Sequence, residues 1–213
     1  MTPTRSSLVA AILVCLALCG AARIASAATR PGDDPDWPCQ QRLVPTLAAG
    51  VFWSGPSLEG IGIWRDEPKV AELVRRISPR RVPVDEGETA IFSFADSLPV
   101  GDERNRLLTL AFAGLLEEAN HDRAELVALI KQFGRRQREL AEAAASMLDE
   151  LRATPVDASG EAGARREDLE QRLAFATRAF EGAQRTVRYV CDAPVLVEAR
   201  LGRYARALQA RLS

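Results

Sequence analysis

One histidine, two lysines and no Cys-x-x-Cys pair set the first limits on this 213-residue chain. With His121 as the sole histidine, a zinc cluster lacks its usual ligands. The serines at 54, 57, 93 and 97 have no histidine near them in sequence. No Gly-x-Ser-x-Gly, phosphate loop, dinucleotide fingerprint or haem-attachment motif occurs. These absences point away from an enzyme and call for no cofactor. Strand-like alternation of useful length is also missing, and so is any internal repeat. Beyond residue 27 no apolar run reaches the roughly 20 residues that a membrane-spanning helix needs. Charge of one sign is scarce too: 28 basic residues face 29 acidic ones. That balance argues against nucleic acid and against electrostatic attachment to an anionic membrane.

What is present begins with an export signal. Arg5 supplies a positive n-region, Leu8–Ala22 an uncharged apolar run, and Ala25-Ser26-Ala27 a small-x-small cleavage pattern. The expectation is a secretory signal peptide over 1–27 and a mature chain from Ala28, with no stable membrane insertion after cleavage. Losing Arg5 and Arg23 leaves 26 basic residues against 29 acidic, a net charge of −3. Arginine and alanine dominate where lysine is rare, as in GC-rich bacterial genomes, so the expected location is the periplasm.

Two cysteines, Cys39 and Cys191, remain after cleavage. In an oxidising compartment such a pair bonds. The bridge would close a loop of about 150 residues, worth about 5 kcal/mol by loop-closure entropy.

The chain then divides into a flexible Pro-, Gly- and acid-rich leader over 28–36 and a single domain over 37–213. Trp37, Trp53 and Trp64 all fall in the first part of that domain, among Gly50, Gly55, Gly60, Gly62, Pro45 and Pro56. A short helix is expected around 39–49, then an irregular aromatic segment lying as a lid on the core. Pro68 suits a first helical position, with Val70, Leu73, Val74 and Ile77 as its apolar stripe. Asp85 with Glu88 has the form of a capping box for a helix reaching Leu98.

From Asp102 to Ala153 there is no proline. Leu126, Phe133, Leu140 and Met147 recur every seven residues there. Asn120-His121-Asp122 and Gly134 are the weak points at which this helix would break. After a turn at 155–163, Leu169, Leu173, Ala176, Phe180, Ala183, Val187 and Val190 step by 4 and 3. The short turn makes the two helices an antiparallel hairpin. Pro194 suggests a kink or restart before a last helix ending near Leu212. The fold class is therefore all-α: a helical bundle built on a long antiparallel hairpin, coiled-coil-like in its spacing, with an irregular Trp-rich N-terminal segment.

Three clusters are candidates for function. Trp37, Trp53 and Trp64, with Arg80 and Arg81, are the candidate partner or ligand surface, although aromatics of this kind more often pack as a cap. Glu118-x-x-His121 places both side chains on one helical face, a weak metal pair that would need carboxylates such as Glu88, Glu170 or Glu181 from other helices. The arginine clusters at 75–76, 135–138 and 165–166 are interleaved with acids and read as solvated faces. The leading expectation is a non-enzymatic periplasmic interaction or accessory protein with a protein partner in the cell envelope. The alternative is a ligand- or metal-binding helical bundle.

Asp36-Trp37-Pro38-Cys39-Gln40, Val44-Pro45 and Trp53-Ser54-Gly55-Pro56 together resemble a pattern in uncharacterised exported proteins of proteobacteria. The likeness covers about 20 residues. It implies a periplasmic location and carries no functional residue.

Overall fold

The computed structural model describes residues 34–213. The export signal read at 1–27 lies outside the described residues. The described chain is all-α. An irregular strap over 34–48 leads to the four-residue helix α1 (Ala49–Phe52) and a 3-10 turn at Trp64–Asp66. Three further helices precede the last: α2 (Pro68–Ile77), α3 (Val84–Asp96) and α4 (Asp102–Ala153). The chain ends in α5 (Gly160–Gln209). Among the described residues no helix is long and apolar enough to cross a membrane.

α2 starts where the sequence places it, with Pro68 in its first turn and Val70, Leu73, Val74 and Ile77 buried. α3 starts at Val84, so Asp85 lies inside the first turn and makes no cap. Asp85 and Glu88 are drawn instead to Arg203 on α5 (Arg203 Nη2 to Asp85 Oδ1 2.7 Å, Nε to Glu88 Oε1 2.8 Å). Gly101, at φ 137°, makes the sharp entry into α4 that a side-chain-bearing residue would resist.

α4 runs unbroken for 52 residues, about 78 Å at 1.5 Å per residue. Neither expected weak point breaks it. Asn120 is held in the helix because its amide clamps both backbone groups of Leu47 (Oδ1 accepts from N at 2.7 Å; Nδ2 donates to O at 3.2 Å). Gly134 is a crossing point: a Cβ there would lie 2.1 Å from Asp36 O.

α5 also departs from expectation. It passes through Pro194 and continues to Gln209, with no restart. Proline removes one rung of the helical ladder. Groups from outside bind the backbone around the gap: Gln41 Nε2 donates to Cys191 O (2.5 Å) and Arg123 Nη1 to Pro194 O (3.3 Å).

The core lies at one end of the hairpin. There α2 and α3 pack on the first half of α4 and the last quarter of α5, burying Leu108, Phe112, Leu201, Tyr204 and Leu208 almost completely. Each such side chain contributes about 1.5–3 kcal/mol. Gly87 opens α3 to Tyr204, whose hydroxyl donates to Ile77 O (3.3 Å). Beyond this base the two long helices continue as an arm, residues 131–153 and 160–190. Phe133, Leu140, Met147, Phe180 and Val187 face its seam only half-buried.

Residues 34–47 run back along α4 as a strap. Asp34 and Asp36, expected in a flexible leader over 28–36, are both fixed, and 28–33 lie outside the described residues. Asp34 meets Lys131 (2.7 Å), and Asp36 meets Arg135 (2.7 Å) and Arg138. Arg123, 3% exposed, donates to Val44 O (2.7 Å) and pairs with Glu198 (2.6 Å). A disulfide between Cys39 and Cys191 (Cα–Cα 5.6 Å) fastens the strap to α5. The helix expected at 39–49 is absent: the backbone groups of Val44 and Leu47 bind the α4 side chains of Arg123 and Asn120 rather than one another.

Candidate functional site

The tryptophans go inward. Trp53 is 9% exposed and stacks on Phe112 with ring centroids 4.5 Å apart. Its indole N–H donates to Pro56 O (2.8 Å). Trp64 is 4% exposed, lies against Gly114, and donates to Glu117 Oε2 (2.9 Å). Arg65 covers the Trp64 ring at 4.2 Å and bonds both Glu117 and Glu118. Trp37 is half-buried and donates to Gln41 O, two residues beyond Cys39 (2.7 Å). The segment is a lid on the core, as its composition suggests, and Trp53 and Trp64 offer no aromatic face to a partner.

The metal pair fares no better. Glu118 is engaged by Arg65, while His121 is exposed and lies 3.4 Å from Glu125. Glu88 and Glu170 are held by Arg203 and Arg166. Among the described residues no three metal-ligating side chains come together. The Arg65 hydrogen bond, then that of Trp64, holds the Glu117 carboxyl below its ordinary value. Its role is to keep the 3-10 turn on α4.

Arg80 and Arg81 stand at the turn between α2 and α3, both exposed. Arg80 reaches only Asp122, at 3.9 Å. The guanidinium that organises this turn belongs to Arg200, which sequence reasoning missed. It donates to the carbonyls of Ile77, Pro79, Arg80 and Val82 and to the Tyr204 hydroxyl. One of these is the carbonyl of Ile77, the last residue of α2, an end where a cation is favoured. Beneath this cluster, between Leu115, Leu201 and Tyr204, is a space of about 20 Å³, room for one water and no organic ligand. A groove of about 420 Å³ beside it, floored by Val84, Leu196 and Val197, is edged by Arg80 and Arg203.

Exposed apolar side chains lie on both parts of the molecule: Val51, Ile63, Val100 and Leu196 on the base, and the aromatics on the arm. Phe175 is 69% exposed and Tyr189 76% exposed, both on α5. Leu148 on α4 is also in water. Around them are many charges, and some are matched within the arm: Arg165 with Glu150, Arg172 with Asp168, Arg166 with Glu170. Arg136, Arg178, Arg185 and Arg188 have no ion-pair partner among the described residues. The unpaired arginines gather near the base. Across 131–141 and 176–191, seven side chains are basic and two acidic; across 142–175, eight are acidic and four basic. The arm is thus polarised, positive at its root and negative towards its tip.

Asn120 and Arg123 were also invisible as functional residues in the sequence. Each is a polar residue within a long helix, and the partners that give it meaning lie more than 70 positions away. No family model, curated protein or solved structure matches the chain.

Proposed function

We propose that this is an exported, non-enzymatic accessory protein of the cell envelope, acting in the periplasm, whose base is a scaffold and whose arm receives a partner. One observation carries the reading. The arm holds two aromatic side chains, Phe175 and Tyr189, in water on a helix whose seam face is already occupied by α4. Aromatic side chains are the residue type that interfaces use most as anchors, and these two share one helical stripe. The Cys39–Cys191 bridge fits an oxidising compartment. The export signal pattern and the likeness of residues 36–56 to exported proteins support the same location.

The test is site-specific crosslinking. A photoreactive residue placed at 148, 171 or 186 on the arm, and at 88 or 209 on the base, is expressed in the native host with the chain's own signal. The expected result is a discrete envelope adduct from arm positions and none from the base. Adducts from the base alone, or none from either, would overturn the reading.

A further inference from the structure

α5 carries two stripes. One faces α4. The other, read from Glu167, steps by 4, 4, 3, 4, 3 and 4 through Gln171, Phe175, Arg178, Gly182 and Arg185 to Tyr189. At 100° per residue it lies about 150° around the helix from the seam. The strap does not cover it, because the strap meets α5 through Cys191 and the carbonyl of the same residue. Every side chain of the stripe except the half-covered Gly182 is exposed. A regular 3,4 spacing on a face already turned away from its own partner is the pattern of a second helix–helix contact.

Charge identifies the occupant. The stripe is acidic before Phe175, at Glu167, and basic after it, at Arg178 and Arg185. None of these three makes an ion pair among the described residues. A surface whose two halves complement each other across a central residue is self-complementary under a twofold axis. We infer that α5 pairs antiparallel with α5 of a second copy, about an axis at Phe175.

In that register residue i faces residue 350 − i. Glu167 of one copy then sits beside Gly182 of the other, flanked by Arg178 and Arg185. A Cβ at Gly182 would have nothing within 4 Å, so the surface there is open to the carboxylate. The two Phe175 rings meet on the axis. Tyr189 reaches the first turn of the other α5, near Glu161. Residue 160 faces residue 190, so the two arms overlap along their whole length and stop short of the bases. A parallel pair would instead set Arg178 on Arg178 and Arg185 on Arg185, like charges at contact distance. Electrostatics therefore selects the antiparallel form.

This inference rests on the arm as the interaction surface and assigns one stripe of it to a second copy. The two ideas fail separately. Sedimentation velocity on the purified chain, produced with its own signal, measures mass from about 1 to 200 µM. The expected result is a monomer–dimer equilibrium that weakens at high salt. Glu167→Arg should weaken it at least tenfold, and the triple variant Glu167→Arg/Arg178→Glu/Arg185→Glu should restore it. All three positions are exposed, so an unchanged thermal melt confirms that each variant folds. A monomer throughout, or a dimer indifferent to Glu167→Arg, would overturn the pairing. A monomer whose arm still crosslinks to an envelope protein would sink self-pairing alone; a dimer that captures no envelope protein would sink the accessory role alone.

Discussion

The base and the arm are made from the same two helices, with the same heptad-like spacing, and yet they differ in kind. In the base, α4 and α5 have α2 and α3 beside them, and Leu108, Phe112 and Leu208 are completely buried. In the arm each helix has only the other, joined near the root by the strap; Leu151 and Leu169 are buried there, but Leu140, Met147 and Phe180 are only partly covered. Periodicity states which face of a helix is apolar. The number of elements that cover that face decides whether it becomes core or surface. The base is therefore closed and the arm open.

The sharpest way to break this contrast is to cut the link between its halves. The Cys39→Ser/Cys191→Ser variant frees a loop spanning 152 positions, and loop-closure entropy predicts a loss of about 5 kcal/mol in urea unfolding. A loss under about 1 kcal/mol would mean that the ion pairs and side-chain clamps hold the strap unaided.

Next come paired truncations. Phe112→Ala removes the ring beneath Trp53 from a fully buried site, and the expected cost is about 3–5 kcal/mol. Leu140→Ala in the half-exposed seam should cost about 1–2 kcal/mol, since less area is lost and water fills the gap. Equal costs in the same urea titration would erase the distinction between base and arm.

Gly134→Ala sets two effects against each other. Alanine improves an α-helix by about 1 kcal/mol over glycine. Its Cβ would also collide with Asp36 O and press on Pro38. The strap should lift from the arm while the helix gains, so the midpoint of unfolding stays nearly constant and proteolysis at 34–38 speeds up. A strap as resistant as in the parent chain would contradict the close approach.

The smallest effect is electrostatic. The hydrogen bond from Lys131, then that from the Asp36 backbone, holds the Asp34 carboxyl below its ordinary value of 3.8; the Arg65 bond, then that of Trp64, does the same for Glu117 against 4.5. A depressed carboxyl stabilises the fold above its ordinary value and loses that contribution as pH falls through the depressed one. Loosening of the strap and of the Trp64 turn should therefore begin below about pH 4.5 and should be absent from pH 5 to 8. Tryptophan fluorescence would show it; a transition near neutrality would point to a different group.

Much of the fold was legible because it rests on local patterns. Pro68, the stripe from Val70 to Ile77, the proline-free run to Ala153 and the 3,4 spacing of 169–190 each describe one helix by itself. The cysteine pair was legible by count. What escaped were relations across the chain. Asn120 weakens a helix by propensity and is stable here because Leu47 meets it. Pro194 should end a helix, yet neighbouring side chains, Gln41 and Arg123, bind the carbonyls around it. Arg200 looks like any other arginine on α5 until the turn at 77–82 closes around it. The tryptophan spacing is compatible with either lid or surface, and only the position of Phe112 and Gly114 decides between the two. On the arm the second stripe was present in the sequence, hidden by the stronger first one.

Hydrogen exchange along α4 and α5 tests the central claim most directly, on the intact chain at a concentration where it is monomeric. The account predicts slow exchange over 107–115 and 201–208 and a marked fall in protection beyond about residue 138 of α4 and before about residue 178 of α5. Uniform protection from one end of both helices to the other would contradict it, because the arm would then be as closed as the base.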